Sequence, residues 1–161
     1  MGRPGNQKPT RNQLIERALD TLTRTILGYL ALDRNMAALQ QKMMNPRGED
    51  LSKEMAENEA KRMKLNKKTR EKLEETTKKL STIHNPQSKT DIAIVSCITN
   101  LKDTIMDYLE LDRNMAALRE KIMTHGPSDP SVHDEMIMMM RNRMDLNLRA
   151  TEKLEGLYHH H

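Results

Sequence analysis

The sequence predicts an all-α protein: two tandem helical hairpins forming an antiparallel four-helix bundle. Three observations carry that prediction. Residues 29–39 recur as residues 108–118, with ten of eleven residues kept. Apolar residues step alternately by four and three, which lays them on one helical face, and the period of two that marks strands is absent. The 161 residues hold only six Gly and six Pro, too few for a sandwich or barrel that turns about every 8–12 residues.

The recurrence organises the chain. Tyr29-Leu30-Ala31-Leu32-Asp33-Arg34-Asn35-Met36-Ala37-Ala38-Leu39 returns as Tyr108-Leu109-Glu110-Leu111-Asp112-Arg113-Asn114-Met115-Ala116-Ala117-Leu118, an offset of 79. Arg62-Met63-Lys64-Leu65-Asn66 returns as Arg143-Met144-Asp145-Leu146-Asn147, an offset of 81. The second copy therefore has two extra residues between its segments, and repeats of this kind take precedence over every local reading. Copy one is placed at 12–80 and copy two at 91–158, each a helical hairpin.

Each element follows in order. Residues 1–11 contain Gly2, Arg3, Pro4, Gly5 and Pro9, and are expected to form a disordered basic arm. The first helix carries its stripe on Ile15, Leu19, Leu22, Ile26, Tyr29, Asp33, Met36, Gln40 and Met43. Asn45-Pro46-Arg47-Gly48 breaks it, and Asp50 is a candidate cap for the second helix. That helix runs its stripe through Leu51, Met55, Asn58, Arg62, Leu65, Thr69, Leu73, Thr76 and Leu80. Residues 81–90, with Asn85-Pro86, form the linker, and Thr90 or Asp91 is expected to cap the third helix. The third stripe is Ile94, Ile98, Leu101, Ile105, Tyr108, Asp112, Met115 and Ile122. His125-Gly126-Pro127-Ser128-Asp129-Pro130 breaks the chain again, and Ser131 is the candidate cap of the fourth helix. Its stripe is Val132, Met136, Met139, Arg143, Leu146, Ala150, Leu154 and Leu157. Turns this short force each pair to be antiparallel. His159, His160 and His161 read as the remnant of a purification tag.

Polar residues interrupt the apolar stripe at matched places. With hairpin turns centred near 47 and 127, Asp33 lies opposite Arg62, and Asp112 opposite Arg143. Two partly buried ion pairs are expected, Asp33–Arg62 and Asp112–Arg143. Tyr29 and Asn66 are placed to join the first network, Tyr108 and Asn147 the second. Removing one partner of a buried pair costs roughly 3–5 kcal/mol, so such pairs lock helix register. A catalytic use of the same carboxylate, guanidinium and phenol is the competing reading, but no nucleophile, base and oxyanion donor set accompanies them.

The copies diverge on their outer faces. Residues 1–80 hold 18 Lys+Arg against 11 Asp+Glu (+7), and residues 81–161 hold 9 against 12 (−3). Seven cations fall within residues 61–72, with Glu71 the one acid there. Lys61, Lys64, Lys67, Lys68 and Lys72 are the candidates for binding phosphates or an acidic partner, against the plainer reading of a solvated face. No aromatic side chains are interleaved for base stacking. Copy two instead carries Met136-Ile137-Met138-Met139-Met140, and Leu148 where copy one has Lys67. Met138, Met140 and Leu148 are the candidate partner-binding residues, since thioether side chains adapt to a docked helix. The plainer reading packs them on the other hairpin.

Several classes are excluded from the expectation. No P-loop, GxGxxG, HExxH or CxxC occurs. His84, His125 and His133 lack co-ligands at metal spacing, so neither metal nor cofactor is expected. No apolar run approaches the roughly 18 residues of a membrane span. The single cysteine, Cys97, fits a reducing compartment and a small hydrophobic role. No leader of charged then apolar residues is seen, so an intracellular protein, cytoplasmic or nuclear, is expected. The expected function is a non-enzymatic adaptor or structural scaffold whose partner is another, helical protein, as a homo- or hetero-oligomer. The alternative is sequence-tolerant binding of DNA or RNA backbone through the second helix and the N-terminal arm.

Overall fold

A computed structural model of the chain describes residues 10–44, 50–81, 89–126 and 129–159. The described residues form four helices and, among them, no strand: α1 (Arg11–Met43), α2 (Ser52–Ser81), α3 (Lys89–His125) and α4 (Pro130–His159). The chain is all-helical and its helices pair as two tandem hairpins, the element order that a four-helix bundle requires. None of the helices is long and apolar enough to cross a membrane.

α1 begins earlier than expected. Thr10 caps it: the Thr10 hydroxyl accepts the Gln13 N–H at 3.2 Å, and the Gln13 side chain accepts the Thr10 N–H at 3.0 Å. This reciprocal pairing satisfies two amide donors that a helix start leaves open. Residues 10 and 11 therefore belong to the helix start, not to an arm, and the arm at 1–9 lies outside the described residues. α2 starts at Ser52, after Asp50 accepts the Ser52 N–H at 3.0 Å. The Ser52 side chain and, after it, the Ser52 N–H hold the Asp50 carboxyl below the usual carboxylate range.

α3 starts at Lys89, within the stretch expected as linker, so Thr90 and Asp91 lie inside the helix rather than before it. Ser81 likewise closes α2, and the remaining linker, 82–88, lies outside the described residues. α3 continues through His125, and Gly126 ends it with φ 87°, its N–H bonded to Ile122 O at 2.9 Å. That left-handed conformation suits glycine, which has no Cβ to clash. α4 is capped by Asp129 rather than Ser131: the Asp129 carboxylate accepts both the N–H and the hydroxyl of Ser131 at 3.0 Å. Pro130 takes the first helical position, where a missing N–H costs nothing. His159 belongs to α4; His160 and His161 lie outside the described residues.

Two compact units divide the chain, Met1–Asn100 and Leu101–His161, with the boundary inside α3 rather than in the linker. In the first, α1 packs antiparallel on α2. Its core holds Ile15, Ala18, Leu22, Ile26, Tyr29 and Leu32 from α1. From α2 the buried residues are Asn58, Arg62, Thr69 and Thr76, so half of this seam is polar. Gly28 permits a close approach: a Cβ there would stand 3.3 Å from Leu65 Cδ2. In the second unit, Leu101, Ile105, Tyr108, Leu109, Leu111 and Leu118 of α3 are buried, as are Val132, Leu146, Ala150 and Leu154 of α4. Where α2 buries Asn58, Thr69 and Thr76, the matching positions of α4 are Met139, Ala150 and Leu157.

Candidate functional site

Three groups of side chains stand out: the buried polar networks, the basic face of α2, and the apolar ridge of α4.

The networks form as the antiparallel register requires. Arg62 Nη1 donates to Asp33 Oδ1 in a buried ion pair. The Tyr29 hydroxyl donates to Asn66 Oδ1 at 2.5 Å, and the Arg62 guanidinium lies 5.5 Å from the centre of the Tyr29 ring, within the range of cation–π attraction. Asn58 Nδ2 adds a bond to Leu32 O at 3.3 Å. In copy two, the Tyr108 hydroxyl donates to Asn147 Oδ1 at 2.7 Å. Arg143 Nη2 stands 3.9 Å from Asp112 Oδ1. The Arg143 side chain is 23% exposed where that of Arg62 is 9%. The same set of residues is thus brought together in both copies, with the arginine more exposed in copy two.

Copy two has cross-links that the sequence reading missed. Lys153 Nζ donates to the buried Thr104 hydroxyl at 2.7 Å, and Lys121 pairs with Glu135 at 2.9 Å. The same antiparallel register that paired Asp112 with Arg143 pointed to both. The groove of about 230 Å³ between α3 and α4 is lined by Asp107, Glu110, Asn114, Asn142 and Arg149 among others. Asp112, Arg143 and Tyr108 do not line it, so this cluster faces the seam and not that opening.

The basic face is open. Lys61, Lys64, Lys67, Lys68 and Lys72 are all exposed, and among the described residues none of them takes part in a salt bridge. Further along α2, Lys78 and Lys79 are screened by Glu74 and Glu75 one turn before them. At 1.5 Å per residue the stretch from Lys61 to Lys72 covers about 16 Å of helix.

Met138, Met140 and Leu148 are exposed, by 63, 52 and 61%. They do not share one face. At 100° per residue, Met138 lies about 160° round the helix from Met140. Met140 and Leu148 belong instead with Met136 and Met144, four residues apart in turn, on a single ridge. Met136, assigned above to the hairpin seam, is 42% exposed, and Met144 is 71% exposed. Ile137 extends the ridge sideways. The same positions in copy one are Met55, Glu59, Met63 and Lys67, a mixed row with two charges. Cys97 is half-buried rather than fully buried, and burial pushes its thiol upward.

No family model, curated protein or solved structure matches the chain in these comparisons.

Proposed function

We propose that this protein is a non-enzymatic adaptor or structural scaffold that recruits another protein through α4. The observation that carries the reading is the ridge Met136, Met140, Met144 and Leu148, four large apolar side chains exposed in a row. Exposed apolar side chains that adjoin one another, unlike ones scattered singly, are the kind of surface that partners bind. An i, i+4 row is the footprint that a partner helix reads, and methionine lets the row repack around it. Two differences from copy one, Met140 for Glu59 and Leu148 for Lys67, supply the continuity of the row. The polar networks act as register locks that hold each hairpin rigid behind its outer face. The lone Cys97 is in keeping with work inside the cell, cytoplasmic or nuclear.

The test restores the copy-one residues. Met140→Glu with Leu148→Lys should leave helicity unchanged and abolish capture of the partner from the native source. Equal capture by the double variant would remove α4 from the function.

A second reading has its own observation. The five lysines of α2 are exposed and outside any salt bridge among the described residues, an arrangement able to track the phosphates of DNA or RNA without base readout.

A further inference from the structure

The bare side of α4 is complementary to itself. The helix buries Val132, Leu146, Ala150 and Leu154, and round from them it leaves Met136, Met140, Met144 and Leu148 exposed. Arg141 and Asp145 flank that ridge on one side, each one residue on from a ridge methionine, and both are exposed. Asp145 accepts Arg149 Nε of its own chain at 3.2 Å, and a carboxylate has room for a second donor. Arg141 takes part in no salt bridge among the described residues. Residues 130–159 hold four Lys+Arg against five Asp+Glu, where residues 52–81 hold ten against six. Two copies of α4 therefore meet with little net repulsion, and two copies of α2 would not.

We propose that the occupant of the α4 ridge is the α4 ridge of a second copy of this chain, laid antiparallel about a two-fold axis midway between Met140 and Met144. The inference rests on α4 as the binding face and names what it binds. Met140 then faces Met144 of the second copy and Met136 faces its Leu148, so apolar side chains meet along the whole row. A two-fold contact joins one patch to itself, and every pairing occurs twice. Arg141 comes to lie on the same flank as Asp145 of the second copy, about 3 Å from it along the helix at 1.5 Å per residue. Asp134 and Glu152, of like charge, fall beyond the ends of the ridge, where helices crossing at an angle have parted. Copy one lacks this self-complementarity. Its row is Met55, Glu59, Met63 and Lys67, with Ala60 and Lys64 at the flank. The same arrangement would set Glu59 against Met63 and Lys67 against Met55, with no opposite charges across the flank. A foreign helix would have to bring matching charges of its own, whereas a second copy already has them. One helix-on-helix contact falls short of the roughly 1,200–2,000 Å² of a stable interface, so the dimer comes apart on dilution.

Analytical ultracentrifugation of the full chain tests this at low ionic strength, where exposed charges are least screened. The average mass should climb toward that of two chains as the concentration rises to about 1 mM, and fall back on dilution. Arg141→Glu sets an acid against Asp145 of the second copy, and Asp145→Arg sets a base against Arg141. Each alone should raise the concentration needed for the dimer about tenfold, because two pairs reverse at once. Mixed in equal amounts, the two variants should recover the dimer. The acid placed at 141 in one then faces the base placed at 145 in the other, and Asp145 of the first faces Arg141 of the second. Pairing within a single helix cannot produce that recovery. Met138→Glu, on another side of α4, should dimerise as wild type does, and Met140→Glu should leave single chains, with every variant still helical by far-ultraviolet dichroism. A wild-type chain that stays single up to about 1 mM overturns the second copy as occupant and leaves the capture experiment to decide the α4 reading by itself. A dimer indifferent to Met140→Glu, or helical charge variants that fail to recover on mixing, would overturn the antiparallel ridge contact.

Discussion

At the scale of the residue, the matched pairs Asp33–Arg62 and Asp112–Arg143 give one chemistry in two environments. A carboxylate left buried without its guanidinium loses its water and gains no counter-charge. Removing one partner of a buried pair therefore costs about 3–5 kcal/mol. Arg62→Ala should approach that cost in urea unfolding, because Arg62 and Asp33 are both buried. Arg143→Ala should cost less, since the Arg143 side chain is 23% exposed against 9% for Arg62, so water reaches the remaining carboxylate more easily. A double-mutant cycle on Asp33 and Arg62 should show coupling in the range of about 0.5–3 kcal/mol. Additive losses would mean the two side chains act independently.

At the scale of the element, helix starts repeat one device. Thr10, Asp50 and Asp129 each turn a side-chain oxygen onto a backbone N–H of the first turn. Asp129 accepts two bonds from Ser131, with weaker help from His125 and Lys121, and its carboxyl is held below the usual range. A carboxyl whose pKa is lowered by folding stabilises the folded state fully above its unfolded value, about 3.9 for Asp. That contribution disappears as the pH falls through the lower folded value. Asp129→Ala should accordingly speed amide exchange at Ser131 near neutral pH, and wild type should lose the same protection only on acidification below the ordinary Asp range. Unaltered exchange at Ser131 in the variant would show that Asp129 is not the cap. The helices differ in their seams as well. α2 buries Asn58, Thr69 and Thr76 and needs hydrogen-bond partners there, whereas α4 has Met139, Ala150 and Leu157 at the matching positions.

At the scale of the whole molecule, the two copies share the matched polar pairs of their seams, while the charge of their outer surfaces parts. Residues 1–80 carry +7 and residues 81–161 carry −3, from 18 against 11 and 9 against 12 charged residues. This asymmetry makes the nucleic-acid reading measurable. Binding through five lysine–phosphate contacts should weaken with salt at a logarithmic slope of about −4.5 on duplex DNA. Lys61→Glu, Lys64→Glu and Lys68→Glu together should abolish it while far-ultraviolet dichroism stays helical. Absence of measurable binding by wild type at low salt would leave the basic face as a solvated one.

The amino-acid sequence alone determined the helices, their pairing into two hairpins and the partners Asp33–Arg62, Tyr29–Asn66 and their copy-two counterparts. These follow from a helical period and an antiparallel register, both of which are local or fixed by turn position. Helix ends were less legible. Thr10 competes with Asn12, and Asp129 with Ser128 and Ser131, residues of like capping chemistry, and the choice depends on backbone geometry at the boundary. Tertiary structure decided how far each polar pair closes, since burial is set by every side chain packed around it. It also decided which methionines of 136–140 reach water, because a run of consecutive apolar residues points all round a helix and only its neighbours select the face left bare.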